Sequence, residues 1–229
     1  MSGILEARFR AASLVVASAV LLAGLIYHPH LPGPLPNEAA VAAAAASDTT
    51  RWGIAHLTIG IGSGLLAVAF LAIRVLLREA GDERWSGPAL PFIVLGSTLL
   101  TFLAALEFAP LAAAMAGSDA AEAQAALAPW FLPILLTGSA LFAIGIGGFV
   151  VGIVRTRVLS QQVTRVVVAG LVVMAISRFV PFTEAQLYVQ GTAVVLALWP
   201  LAYRMWGQRD GLRAAEHAGA VGLGRPRSL

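Results

Sequence analysis

Six stretches of this chain are each apolar for about 20 residues, enough to carry a helix across the hydrocarbon core of a bilayer. They lie near Ala11–His28, Gly53–Leu77, Ala89–Met115, Trp130–Val154, Val163–Phe182 and Leu187–Trp206. Lipid offers a backbone no water to bond with, so only helices and closed barrels can span it. These runs are continuous and lack the alternation of barrel strands, which selects helices. The composition agrees, with 59% hydrophobic and 12% charged residues and a mean hydropathy of +0.83. The expected fold is therefore all-α and polytopic: a six-helix transmembrane bundle over residues 1–206, then a polar tail over residues 207–229 whose end, Gly222–Leu229, reads as disordered. The first stretch ends in Tyr27-His28-Pro29-His30 without a small-x-small cleavage pattern, so it is read as a retained helix rather than a signal peptide.

Arginine sets the expected orientation. With the six segments alternating, Arg8, Arg10, Arg74, Arg78, Arg84, Arg155, Arg157, Arg165, Arg204, Arg209, Arg213, Arg225 and Arg227 fall on one side, leaving Arg51 and Arg178 on the other. The positive-inside rule then places both termini in the cytoplasm, in a cell (inner) membrane, with the segments paired as three hairpins. The outer connections Leu31–Trp52 and Ala116–Pro129 are alanine-rich and long enough to cover the outer face. Within them Asn37-Glu38 and Ser118-Asp119 have the chemistry of helix N-caps. The third outer connection, Pro181–Gln186, is tight.

Several chemistries drop out for want of parts. The chain has no cysteine, which removes disulfides and thiolate sites, and no lysine, which removes Schiff-base retinal and pyridoxal phosphate. It carries no phosphate-binding loop, no His-Glu-x-x-His and no Gly-x-Ser-x-Gly. A pI near 10.2 comes from arginines flanking the apolar segments, so nucleic acid is not an expected partner.

Small residues four apart mark close helix approach in lipid, and Gly60 with Gly64, and Gly148 with Gly152, supply two such faces. The polar residues gather at one depth, near the outer ends of the segments. Charge inside a membrane is costly and normally faces a partner, water or a ligand. Glu107 and Arg178 are expected to pair or to organise a pocket, with Thr137 and Gln190 at similar depth. His28, His30 and His56 offer imidazole ligands for copper or zinc, with Glu107 or Glu184 able to complete the set. His28 and His56 alone suggest a single b-type haem held from both faces. Tyr27, Trp52, Trp85, Trp130 and Trp206 fit interfacial aromatic belts.

The reading that follows is an outer-leaflet polar pocket, built by the first, second, third and fifth segments, that binds a small ligand, a lipid, or a metal or haem cofactor. The competing reading is a structural or assembly subunit whose glycine faces meet other membrane subunits or a second copy. A small transporter or a lipid-modifying enzyme comes third. No reaction is assigned.

Overall fold

Every apolar stretch of the sequence lies in a helix, and no strand occurs among the described residues. The structure, a computed structural model, describes the backbone of residues 2–222 and the side chains of residues 5–207. The helices are α1 (Ser2–Tyr27), α2 (Glu38–Ser47), α3 (Thr49–Glu79), α4 (Ser86–Leu106), α5 (Phe108–Met115), α6 (Ala120–Thr156), α7 (Gln161–Ile176) and α8 (Gln190–Gly222). Six helices are long and apolar enough to cross a membrane, with α4 and α5 together counted as one of them.

Each long helix packs on the next: α1 on α3, α3 on α4, α4 on α6, α6 on α7, α7 on α8, and α8 back on α1. Neighbours run antiparallel, since Arg10 at the start of α1 meets Glu79 at the end of α3 (2.7 Å), while His28 just past α1 meets His56 early in α3. The ring is filled near its middle by Phe70 of α3, set edge-on to Phe142 (5.9 Å) and Phe149 (4.9 Å) of α6.

Glycine sets the spacing between helices. A methyl group placed on Gly62 would lie 2.7 Å from the Leu21 Cα, so α1 and α3 touch backbone to backbone. Gly60 faces the Ala104 methyl and Gly64 the Thr101 hydroxyl, both on α4, whereas a methyl on Gly148 would strike Ala89 at 2.5 Å and one on Gly152 would lie 2.9 Å from Asp82 Oδ2. The α4 helix is thus held between glycine faces of α3 and α6, the close contact that lipid-embedded helices rely on in place of a hydrophobic driving force.

The two ends of the bundle differ. At the arginine-rich end the turns are short and capped: Asp82 accepts from the backbone N–H groups of Trp85 (3.1 Å) and Ser86 (2.8 Å), and Arg74 donates to the Asp82 carbonyl (2.7 Å). Burial alone would raise the Asp82 carboxyl, but hydrogen bonds from Ser86 and Trp85 and the Arg74 charge outweigh it and hold it below the ordinary value.

The opposite end carries a cap. Asn37 accepts from Ala40 N (3.1 Å) to start α2, and α2 lies on α5 and α6. Leu31, Val41, Ala45, Trp52 and Leu111 form a small second core beneath it. Leu35 N donates to the Pro181 carbonyl (2.9 Å), and the Thr183 hydroxyl donates to the Leu31 carbonyl (2.9 Å), stitching the first connection to the turn before α8.

Three details depart from the sequence reading. Asp119 caps a helix through Ala121 N and Glu122 N (2.8 and 3.0 Å), as its side chain suggested, but that helix is the start of α6 itself rather than a short separate surface helix. The α6 helix, at 37 residues, is roughly 55 Å long and stands well beyond a ~30 Å hydrocarbon core. Helix α8 continues past Trp206 to Gly222, and residues 223–229, which hold nearly all of the stretch read as disordered, lie outside the described residues.

Candidate functional site

The break between α4 and α5 creates the site. Pro110 has no N–H to bond the Leu106 carbonyl four residues back, so the helix is interrupted at Glu107. The Glu107 carbonyl, at the junction, accepts from the indole N–H of Trp52 at 2.9 Å. Behind this break, under α2, lies a cavity of about 430 Å³, within the size range of small-ligand pockets.

Its wall is mainly aliphatic, with Leu25, Leu100, Leu103, Leu135 and Leu187 among the lining side chains. Against that surface stand His28, His56, Ser63, Glu107, Gln124, Arg178 and Gln190, every one of them buried. Arg178 forms the floor. It sits in a 3₁₀ turn, Ser177–Phe179, that ends α7, and its guanidinium lies over the Phe142 ring at 5.2 Å. With the Gln190 amide oriented to satisfy its neighbours, the Gln190 oxygen accepts from Arg178 Nη2 at 2.7 Å and its nitrogen donates to the Gln186 carbonyl at 3.0 Å. Arg178 is 8% exposed and its Nε has no partner; none of the ion pairs among the described residues includes it.

Glu107 is equally enclosed. Oε1 accepts from Gln124 Nε2 at 3.4 Å, while Glu107 Oε2 and Gln124 Oε1 have no hydrogen-bond partner. The expected Glu107–Arg178 ion pair is therefore replaced by two separate amide contacts, Glu107 with Gln124 and Arg178 with Gln190. The glutamines prevail because α6 begins ten residues earlier than its apolar core, bringing Gln124 beside the α4–α5 break.

The histidines divide. His28 and His56 meet directly, Nε2 to Nε2 at 3.2 Å. Each is also tied through Nδ1 to a backbone carbonyl: His28 to Pro29 O at 2.6 Å and His56 to Trp52 O at 2.9 Å. His30 points elsewhere, exposed, with Nδ1 3.7 Å from Glu184. The expected three-histidine convergence does not form, and no group of three or more metal-ligating His, Cys, Asp or Glu residues occurs among the described residues. The haem reading does not fit either. Two axial nitrogens need about 4 Å between them, two metal–nitrogen bonds end to end, and a porphyrin plane has no room between rings that touch.

Two further placements differ from expectation. Thr137 is exposed on α6 and does not line the cavity; the buried small residues beside it are Gly138 and Ser139. Trp52, expected in an aromatic belt, is 1% exposed and packs on both imidazoles, 5.3 Å from His28 and 4.4 Å from His56 between ring centroids. Its spacing of four from His56 put both on one helix face, the one signal in the sequence that could have found it. The cavity also draws on α6 and the start of α8, beyond the four segments expected to build it.

No family model, curated protein or solved structure matches this chain.

Proposed function

We propose that this chain is a multi-pass membrane protein that binds an acidic amphiphile in the cavity beneath α2. The observation that carries the reading is Arg178, a buried guanidinium without a carboxylate partner on the floor of a leucine-lined cavity. A cation left unpaired at such depth costs several kcal/mol, and an acid group arriving there recovers that cost through charge-assisted hydrogen bonds. The leucines suit an acyl or similarly apolar body. Glu107 and Gln124, with unsatisfied oxygens, suit a hydroxyl or amine donor on the ligand head.

The arginine distribution supports both termini in the cytoplasm and an outward-facing cap. A chain without cysteine permits single-cysteine accessibility mapping on this point: labelling from outside is expected for a cysteine at Ser47 and not for one at Glu83.

The binding reading is tested with a matched pair, dodecanoic acid and dodecanol, titrated into detergent-solubilised protein. The acid is expected to bind at least about tenfold more tightly than the alcohol, equivalent to ~1.4 kcal/mol, and Arg178→Ala is expected to erase the difference. Equal binding of acid and alcohol by the parent protein would remove the proposal.

A further inference from the structure

The His28–His56 contact raises a question that the amphiphile reading leaves untouched. A backbone carbonyl only accepts hydrogen bonds, so each Nδ1 facing one must carry the proton. In neutral imidazoles both Nε2 atoms then present lone pairs, and these two approach to 3.2 Å. Facing lone pairs repel, and a cation between them resolves the conflict.

The separation matches what such a cation requires. Two nitrogens bound at ~2.0 Å to a tetrahedral metal stand about 3.3 Å apart, against 3.2 Å between His28 Nε2 and His56 Nε2. The same bond length predicts ring centroids about 5 Å apart; the observed value is 4.8 Å, with the rings inclined at 71°. The carbonyls on Nδ1 are the outer partners that ordinarily fix a metal-bound histidine's tautomer and orientation. Both rings are also locked by Trp52, and both line the cavity, which leaves the other coordination positions to water or an exogenous donor.

The geometry points to a two-histidine site, His28 Nε2 with His56 Nε2, for a tetrahedral Zn(II)-type cation. It does not rest on the amphiphile proposal: the donors lie on α3 and just beyond α1, whereas Arg178 follows α7. The ligands differ too, a cation at one and an acid at the other. With two protein donors the site is more open than a three-ligand catalytic zinc centre, and its free positions are where a small molecule would bind.

The test uses the full chain, purified without a histidine tag and without chelators, and titrated with Co(II) as a visible-spectrum probe. We expect one equivalent per chain with the intense absorption of tetrahedral cobalt, displaced by Zn(II). His28→Ala and His56→Ala are each expected to weaken binding at least about tenfold, while His30→Ala leaves it unchanged. Dodecanoic acid binding to Arg178→Ala separates the two proposals, since the cobalt spectrum should survive that substitution. Should either histidine variant fail to fold, the parent titration alone decides. Absence of saturable cobalt binding, an octahedral spectrum, or binding lost only in His30→Ala would overturn the site.

Discussion

The arginine-rich half of the bundle and the half beneath α2 use the same helices and reach opposite solutions. In the first, Phe70, Phe149, Ile73, Leu77 and Ile153 are fully buried, and Gly145 and Gly148 bring α6 close to Ile93 and Ala89 of α4. In the second, α4 breaks at Glu107, α2 and its flanking turns fill the opening, and a cavity retains eight buried polar side chains, from His28 to Gln190, along its wall or beside it. Arg178 over Phe142 marks the boundary. The contrast teaches that the inner packing supplies rigidity, while the capped half carries unpaired polar groups that packing alone would have removed.

The largest expected effect breaks the packed half. Phe70→Ala empties the contact with Phe142 and Phe149 and is expected to cost about 4 kcal/mol, whereas Leu103→Ala, at a half-buried position on the cavity wall, is expected to cost about 2 kcal/mol. Reversible unfolding in mixed micelles compares the two; equal losses would erase the distinction between the halves. Next is Arg178→Met, which removes a buried unpaired charge. It is expected to stabilise the ligand-free protein by about 1–2 kcal/mol while abolishing acid binding, and a loss of thermal stability in the delipidated protein would show that Arg178 serves packing. Glu107→Gln retains the contact with Gln124 and is expected to shift stability by less than about 1 kcal/mol, while changing the preference among amphiphiles with and without a hydroxyl head. Unchanged selectivity would remove Glu107 from the ligand's reach.

The remaining effect lies at the arginine-rich turn and depends on pH. Asp82→Ala loses the cap on α4 and is expected to cost about 1 kcal/mol. Because the folded carboxyl titrates below its ordinary value, its contribution is complete above about pH 4, the unfolded value, and fades as pH falls through the folded value. The gap between parent and variant should therefore hold from pH 7 to pH 5 and close only in stronger acid.

Much of the fold was legible because lipid imposes a simple rule: six apolar runs had to be helices, although hydropathy missed how far α6 and α8 extend beyond their apolar cores. Asn37 and Asp119 were readable as caps because their side chains bond locally. The site was less so. Hydropathy assigns depth but not rotation about a helix axis, so Thr137 shared a level with Gln190 yet lies on the exposed face of α6. Gln124 went unremarked because its alanine-rich surroundings looked like a connection, and Trp52 was assigned to the interface although its position four before His56 turns it inward. Opposite charge at a shared depth points to a Glu107–Arg178 pair, whereas the structure satisfies each residue in part with an amide.

The central claim is that Arg178 holds an acid in the cavity, and native mass spectrometry of the protein released from mild detergent tests it most directly. We expect the parent chain to retain an acidic amphiphile as a discrete mass adduct, identified after extraction, and Arg178→Met to emerge without it. An adduct of the same mass and abundance on both proteins, or a neutral lipid on the parent, would contradict the claim.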